Sequence, residues 1–255
     1  MKEYEYLWGL PISCLSLEGI SKKIIKWATK KESKVVYCCG MSDITLAKEN
    51  QKVDKCLKNS DLLTADGMPL VFLMRKRRGK NIERGYGPDI FNMILEVSKD
   101  NKLGHFFLGT TNDNLNKLVN IVKTDLNNKN IMKYYSPPFK EVFNQSDLDK
   151  MVELINDKKV NIVWVGMGSL KQIVLADYLK KKVPGKVIIT VGAAFDFFTK
   201  NKAQAPVFIQ NIGLEWLFRW VYEPKRLTSR YLRVIIFMIN ELIENAKKRV
   251  SVLKN

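Results

Sequence analysis

The residues best equipped for chemistry lie in four short stretches: Thr64-Ala-Asp-Gly-Met-Pro-Leu-Val71, Glu83-Arg-Gly-Tyr-Gly-Pro-Asp89, Gly192-Ala-Ala-Phe-Asp-Phe197 and Gly213-Leu-Glu-Trp-Leu-Phe-Arg219. They set carboxylates, arginines and glycine turns at the ends of apolar runs. Such parts can hold a sugar diphosphate and take a proton from a hydroxyl. Each also has a plainer reading. Asp66 stands before Gly67 and Pro69, and an N-cap aspartate there would serve only the backbone N–H groups of its own helix. Arg84 can face solvent, although the neighbouring glycines let the backbone approach a ligand closely. Gln172, early in a helix after Gly166-Met-Gly168, can meet a sugar hydroxyl or water. Asp196 lies between Phe195 and Phe197, where an unpaired carboxylate is costly, so it needs a partner or a job.

Several chemistries are disfavoured. Neither G-x-G-x-x-G nor G-x-x-x-x-G-K-[ST] occurs, which argues against dinucleotide enzymes and P-loop ATPases. The single histidine, His105, falls inside a strand-like run and reads as buried structure, so acid–base work passes to carboxylates. Cys14, Cys38, Cys39 and Cys56 form no C-x-x-C pair. Adjacent Cys38 and Cys39 would point to opposite faces of a strand, which argues against a shared metal. Asp147 and Asp149 fall at a helix start and read as surface charge, not as a metal-binding pair. No metal or cofactor is expected. The start, Met1-Lys-Glu-Tyr-Glu-Tyr, lacks the basic and apolar regions of an export signal. A reducing, cytoplasmic setting follows as the expectation.

The formal charge of +17 attracts polyanions: nucleic acid, nucleotide diphosphates or an anionic membrane. Between Lys200 and Arg233 seven basic residues face two acidic ones, interleaved with Trp216, Phe218, Trp220, Tyr222 and Tyr231. That mixture suits a lipid headgroup interface, or a helix with one core face and one solvated basic face. No apolar run reaches the roughly 18 residues of a spanning helix. A nucleic-acid-binding module is weakly supported, because no recognised module is present and the aromatics crowd one helical segment. A membrane-associated scaffold without catalysis is the other non-enzymatic alternative.

These residues need elements to position them. Strand-like runs occur at Val35–Cys39, Asp61–Leu63, His105–Leu108, Ile131–Tyr135, Val160–Val165 and Lys186–Val191, alternating with helix-period segments such as Ile20–Lys30 and Leu115–Val122. The alternation predicts an α/β fold with a doubly wound, mainly parallel, Rossmann-like sheet in a chain of 255 residues, 46% of them hydrophobic. Three of the runs end in glycine turns, at Gly109, at Gly166 with Gly168, and at Gly192. In open α/β sheets ligands bind outside the carboxyl ends of strands, so these turns should ring one crevice. Past about residue 200 the strand signal stops, and Gly213–Lys248 reads as two helices broken at Glu223-Pro224. We expect a catalytic core over 1–199 and a helical, basic and aromatic appendage over 200–255.

Six motifs in order, Ala65-Asp-Gly-Met-Pro69, Glu83-Arg84 with Gly87-Pro-Asp89, Phe106-Phe-Leu-Gly109, Val165–Gln172, Val191–Phe197 and Leu214–Arg219 with Glu223-Pro224, resemble the WecG/TagA/CpsF family, glycosyltransferase family 26. Its members include wall-teichoic-acid N-acetylmannosaminyltransferases. The resemblance spans roughly residues 8 to 235. It implies an inverting transferase that moves a sugar from a UDP-sugar donor to a polyprenyl-diphosphate-linked sugar acceptor at the cytoplasmic membrane face, without nucleic acid as partner. It further implies Asp66 as general base, with Arg84 and Gln172 beside it. Asp196 and the glycine turns at Gly109, Gly166 and Gly168 would contact substrate, and Arg219, Arg226 and Arg230 of the appendage would reach over the donor diphosphate. The donor sugar is expected to be N-acetylmannosamine, with its uronic acid, glucose or galactose as alternatives.

Two motifs depart from the family pattern. Where many members carry Thr-x-Asn after the first long strand, this chain has Cys38 and Gly40, with Ser42 or Asp43 as the candidate replacement. Gly168-Ser-Leu-Lys-Gln-Ile173 keeps the glutamine of the G-x-P-x-Q-E turn and loses its proline and acid.

Overall fold

The computed structural model describes residues 3–79 and 82–253. Strands β1 (Tyr4–Leu7), β2 (Leu10–Ser13), β3 (Lys34–Cys39), β4 (Leu62–Ala65), β5 (Gly104–Gly109), β6 (Ile131–Tyr135), β7 (Val160–Gly166) and β8 (Val187–Thr190) join in one sheet, ordered β1-β2-β4-β3-β8-β7-β5-β6. Among the described residues only β1 and β2 pair antiparallel, and every other pairing is parallel. The expected α/β architecture, consistent with a Rossmann-like fold, is therefore present. The β1–β2 hairpin is an addition that periodicity did not disclose. Its strands are only four residues long, and its two-residue turn, Trp8-Gly9, has φ of +51° and +81°. Positive φ at both positions is what a tight hairpin requires, but Trp-Gly lacks the Asn-Gly signature that marks such a turn.

Helices cover both faces. On one side lie α1 (Leu17–Thr29), α5 (Gly87–Asn101), α6 (Asn112–Thr124) and the short α9 (Ala194–Phe198), packed on Val36, Cys38, Phe107 and Trp164. On the other lie α2 (Met41–Glu49), α3 (Gln51–Lys58), α4 (Met68–Arg78), α7 (Gln145–Ile155) and α8 (Ser169–Lys182), packed on Val35, Tyr37, Cys39 and Val163. Strand β3 is covered on both faces, so Val35 through Cys39 read as one apolar run without polar alternation. Cys38 and Cys39 part to opposite faces, and all four cysteines are free thiols. His105 is fully buried: Nδ1 accepts from Trp164 Nε1 at 3.0 Å and Nε2 meets Ser98 Oγ at 2.7 Å. Burial pushes its pKa down to about 3, which keeps the ring neutral and structural.

The chain ends in α10 (Val207–Asn211), α11 (Glu215–Tyr222) and α12 (Pro224–Leu253). The break falls at Glu223-Pro224, as expected. Val234, Phe237 and Met238 of α12 pack on the α2 side of the core, with Phe237 5.5 Å from the Trp8 ring. Trp216, Trp220 and Tyr231 pack on one another, with ring centroids 5.8 to 6.1 Å apart, and bind α11 to α12. The aromatic density read from sequence as an interface belt thus goes partly into internal packing. Among the described residues no helix is long and apolar enough to cross a membrane.

Candidate active site

Strands β4, β3, β8, β7 and β5 are neighbours and parallel, so their carboxyl ends reach one edge together. Beyond that edge lies a cleft of about 590 Å³, lined by Gly40, Asp43, Asp66, Gly109, Gly166, Gly168, Gln172, Gly192, Asp196, Lys202, Arg219, Arg226 and Arg230, among others. The three glycine turns do ring one crevice. At Gly109, with φ of +129°, a Cβ would strike the Gly166 carbonyl, so the β5 and β7 turns approach as closely as they do only with glycine.

Asp66 follows β4 directly. Its N–H donates to Cys39 O at 2.9 Å, which extends the β3–β4 pairing by one residue and fixes the backbone. The carboxylate does not cap α4, whose N-cap is Gly67. Instead Oδ1 accepts from Gly87 N at 2.6 Å, across from the start of α5. The N-cap reading of Asp66 is therefore corrected: Gly87 holds the side chain over the cleft. Burial raises its pKa to about 6, opposed by Arg84 and the Gly87 N–H and reinforced by Glu215 and Asp43.

Arg84 reaches the same residue but is engaged elsewhere. Its Nε donates to the Asp66 carbonyl at 2.5 Å, while Nη2 meets Glu215 Oε2 at 2.6 Å and Nη1 donates to Gln210 Oε1 at 3.1 Å. The guanidinium lies 3.6 Å over the Tyr86 ring, and the Tyr86 hydroxyl donates to Glu215 Oε1 at 2.9 Å. Arg84 therefore joins the base to the C-terminal helices and does not line the polar cleft. Glu215 and Tyr86, which do this, escaped the sequence reading although both lie inside quoted motifs.

Gln172 lines the cleft wall. It is nearly buried, and Oε1 accepts from Gly192 N at 3.1 Å and Met167 N at 3.5 Å, tying two glycine turns together. Asp196 has found partners: Asn114 Nδ2 at 2.8 Å, Thr110 Oγ1 at 3.4 Å and Lys202 Nζ at 3.0 Å. Asn114, absent from the sequence prediction, is buried and also accepts from Thr199 Oγ1 at 2.6 Å. Asp43 lies at the cleft floor. Its Oδ2 accepts from Gly40 N at 2.9 Å, its Oδ1 is buried with no hydrogen-bond partner among the described residues, and burial raises its pKa.

Three arginines close the cleft from the appendage. Arg219 packs 5.4 Å over Phe197, and its buried Nε has no hydrogen-bond partner among the described residues. Arg230 is half-buried. Burial lowers its pKa against the pull of Asp43, and repulsion from Arg226 and Arg219 adds to the effect. Arg226 is exposed and is held by Glu223, at 2.5 Å through Nε and 2.8 Å through Nη2. A cleft with unspent donors and mutually repelling cations is preorganised for an anion with several oxygens.

The sequence model of the Glycosyl transferase WecG/TagA/CpsF family matches residues 5–251, which include every strand end of the cleft and the part of α12 that carries Arg226 and Arg230. By that match over nearly its whole length, the chain belongs to the WecG/TagA/CpsF family of glycosyltransferases.

Proposed function

We propose that the chain transfers a sugar, N-acetylmannosamine in first place, from a UDP-sugar to a polyprenyl-diphosphate-linked GlcNAc-type acceptor, with inversion, in synthesis of a cell-surface polysaccharide or teichoic acid. The observation that carries this reading is Asp66, a carboxylate with its pKa raised to about 6, at the lip of a cleft closed by arginines. In the reaction the acceptor hydroxyl gives its proton to Asp66 as its oxygen attacks the anomeric carbon. The bond from that carbon to the UDP oxygen breaks on the opposite face. Negative charge then grows on the leaving diphosphate, where Arg219 and Arg230 and the N–H groups of the glycine turns can receive it.

The core over 1–199 would supply the base and the turns, and the appendage over 200–255 the cations. Exposed Val207, Phe208, Ile212, Leu217 and Val221 beside that basic surface support attachment to the inner face of the cell membrane. The test is UDP release from a panel of UDP-sugars with a prenyl-diphosphate-GlcNAc analogue. Release that depends on the acceptor is the expected result; no release with any donor from folded protein sinks the reading.

Two further outcomes are expected in this assay. Arg219→Ala should lower kcat about a hundredfold, near the ~3 kcal/mol typical of one lost transition-state donor. An unchanged kcat would remove Arg219 from the site. Turnover should also survive EDTA, because arginines supply the positive charge. Complete loss with EDTA, restored by Mn²⁺, would refute metal independence.

A further inference from the structure

A second depression, of about 370 Å³, opens on the other side of Asp66, between the start of α4, α11 and α12. Gly40, Ser42, Asp66 and Arg219 line both it and the cleft, so the two spaces are continuous and Asp66 stands at their junction. Their chemistry differs. The cleft carries Lys171, Lys202 and three arginines. The second space is walled by Met68, Trp216, Val234, Ile235, Met238 and Leu242. Among the described residues its charged groups are Arg219 and Arg84 with Asp66 and Glu215, and Arg84 is already paired with Glu215 at 2.6 Å.

The α12 contribution recurs at 231, 234, 235, 238, 239 and 242, the spacing of one helix face. This stripe runs from the half-buried Val234 beside the base out to Ile239 and Leu242, which are 50% and 66% exposed. The groove is thus apolar along its length, open at its outer end, and at its inner end it passes Arg219 into the cationic cleft. An apolar chain with an anionic head fits that order of surfaces.

We propose that this groove holds the first isoprene units of the acceptor, with the acceptor sugar at Asp66 and the rest of the chain leaving past Ile239 and Leu242. The assignment rests on the transferase reading above and adds where the lipid lies and which residues select it. It sets the donor and the acceptor lipid on two sides of the junction formed by Gly40, Ser42, Asp66 and Arg219, with Asp66 as the carboxylate between them. Because the groove is finite, benefit from chain length should saturate after a few isoprene units. Each methylene drawn from water contributes about fourfold in affinity until the groove is full.

The experiment compares GlcNAc-diphosphate acceptors bearing a methyl, a farnesyl or a longer prenyl group, in solution with no membrane, so that surface attachment does not enter. Wild-type kcat/KM should rise at least tenfold from methyl to farnesyl and then level off. Ile239→Glu and Leu242→Glu change exposed positions, so folding should be preserved. Each should erase most of the farnesyl advantage while leaving the methyl acceptor and the KM of the UDP-sugar unchanged. Wild-type transfer that ignores chain length, or variants that lower both acceptors equally, would overturn the groove assignment and leave the transferase standing. No transfer to either acceptor by wild type would overturn the transferase reading and the groove with it.

Discussion

Asp66→Asn should lose roughly 10²- to 10⁴-fold in kcat, the range for removing a general base, and yet melt at a higher temperature than wild type at pH 8. Both effects have one cause. The Asp66 carboxyl has its pKa raised to about 6 in the folded protein, against about 3.9 in an unfolded chain. A raised carboxyl favours the native state in its protonated form. Its contribution is fully present below the unfolded value and is lost as pH rises through about 6. At pH 8 the wild type therefore carries the cost of a partly buried anion. Asp66 keeps part of its surface open to the cleft, so solvent screens some of that cost and leaves on the order of 1–2 kcal/mol. Asparagine retains an oxygen for the Gly87 N–H and carries no charge. The gain in Tm should be a few degrees at pH 8, since about 1 kcal/mol moves Tm by roughly 2–4 °C in a chain of this size, and should vanish at pH 4. In parallel, wild-type kcat/KM should rise with pH through about 6. An equal Tm difference at both pH values would show that Asp66 is not a strained base.

Glu215→Ala should be the most damaging single change in the appendage. Glu215 is 9% exposed and accepts from both Arg84 and Tyr86. Its removal leaves the buried guanidinium of Arg84 without its carboxylate, which typically costs about 3–5 kcal/mol. A fall in Tm of roughly ten degrees is expected. Glu215→Gln separates structure from chemistry, because it keeps the shape and a hydrogen-bond acceptor while removing the charge. The Glu215 charge raises the Asp66 pKa, and Arg84 lowers it. Removing Glu215 therefore moves the acidic limb of kcat/KM to lower pH. A limb that stays in place in Glu215→Gln would mean that the appendage stabilises the fold without tuning the base.

The strand positions were legible because burial on both faces of a parallel sheet writes itself as short apolar runs, and β3, β5, β7 and β8 fall within a residue or two of the runs at Val35, His105, Val160 and Lys186, while the edge strand β6, buried only at Ile131, was legible from its β-favouring Ile131, Tyr134 and Tyr135. The crevice was legible as well, since strands ending in Gly109, Gly166 and Gly192 can share one edge only if they are parallel neighbours. The five-residue helices α9 and α10 were not, because little more than one turn shows no helical period, and the β1–β2 hairpin was not, because Glu5 and Pro11 interrupt the apolar runs that marked the other strands.

At the candidate site the sequence by itself determined which side chains are present at the strand ends: Asp66, Gln172 and Asp196 in the core, and Arg219, Arg226 and Arg230 beyond it. Only the tertiary structure decided what each one touches. Asp66 turns to Gly87 instead of its own helix, Arg84 to Glu215 across 131 positions of chain, and Asp196 to Asn114 across 82. Local spacing carries no record of such pairings, because hydrogen bonds between distant segments are selected by how the helices pack on the sheet. The raised pKa of Asp66 likewise arises from burial and distant charges, which exist only once the chain has folded.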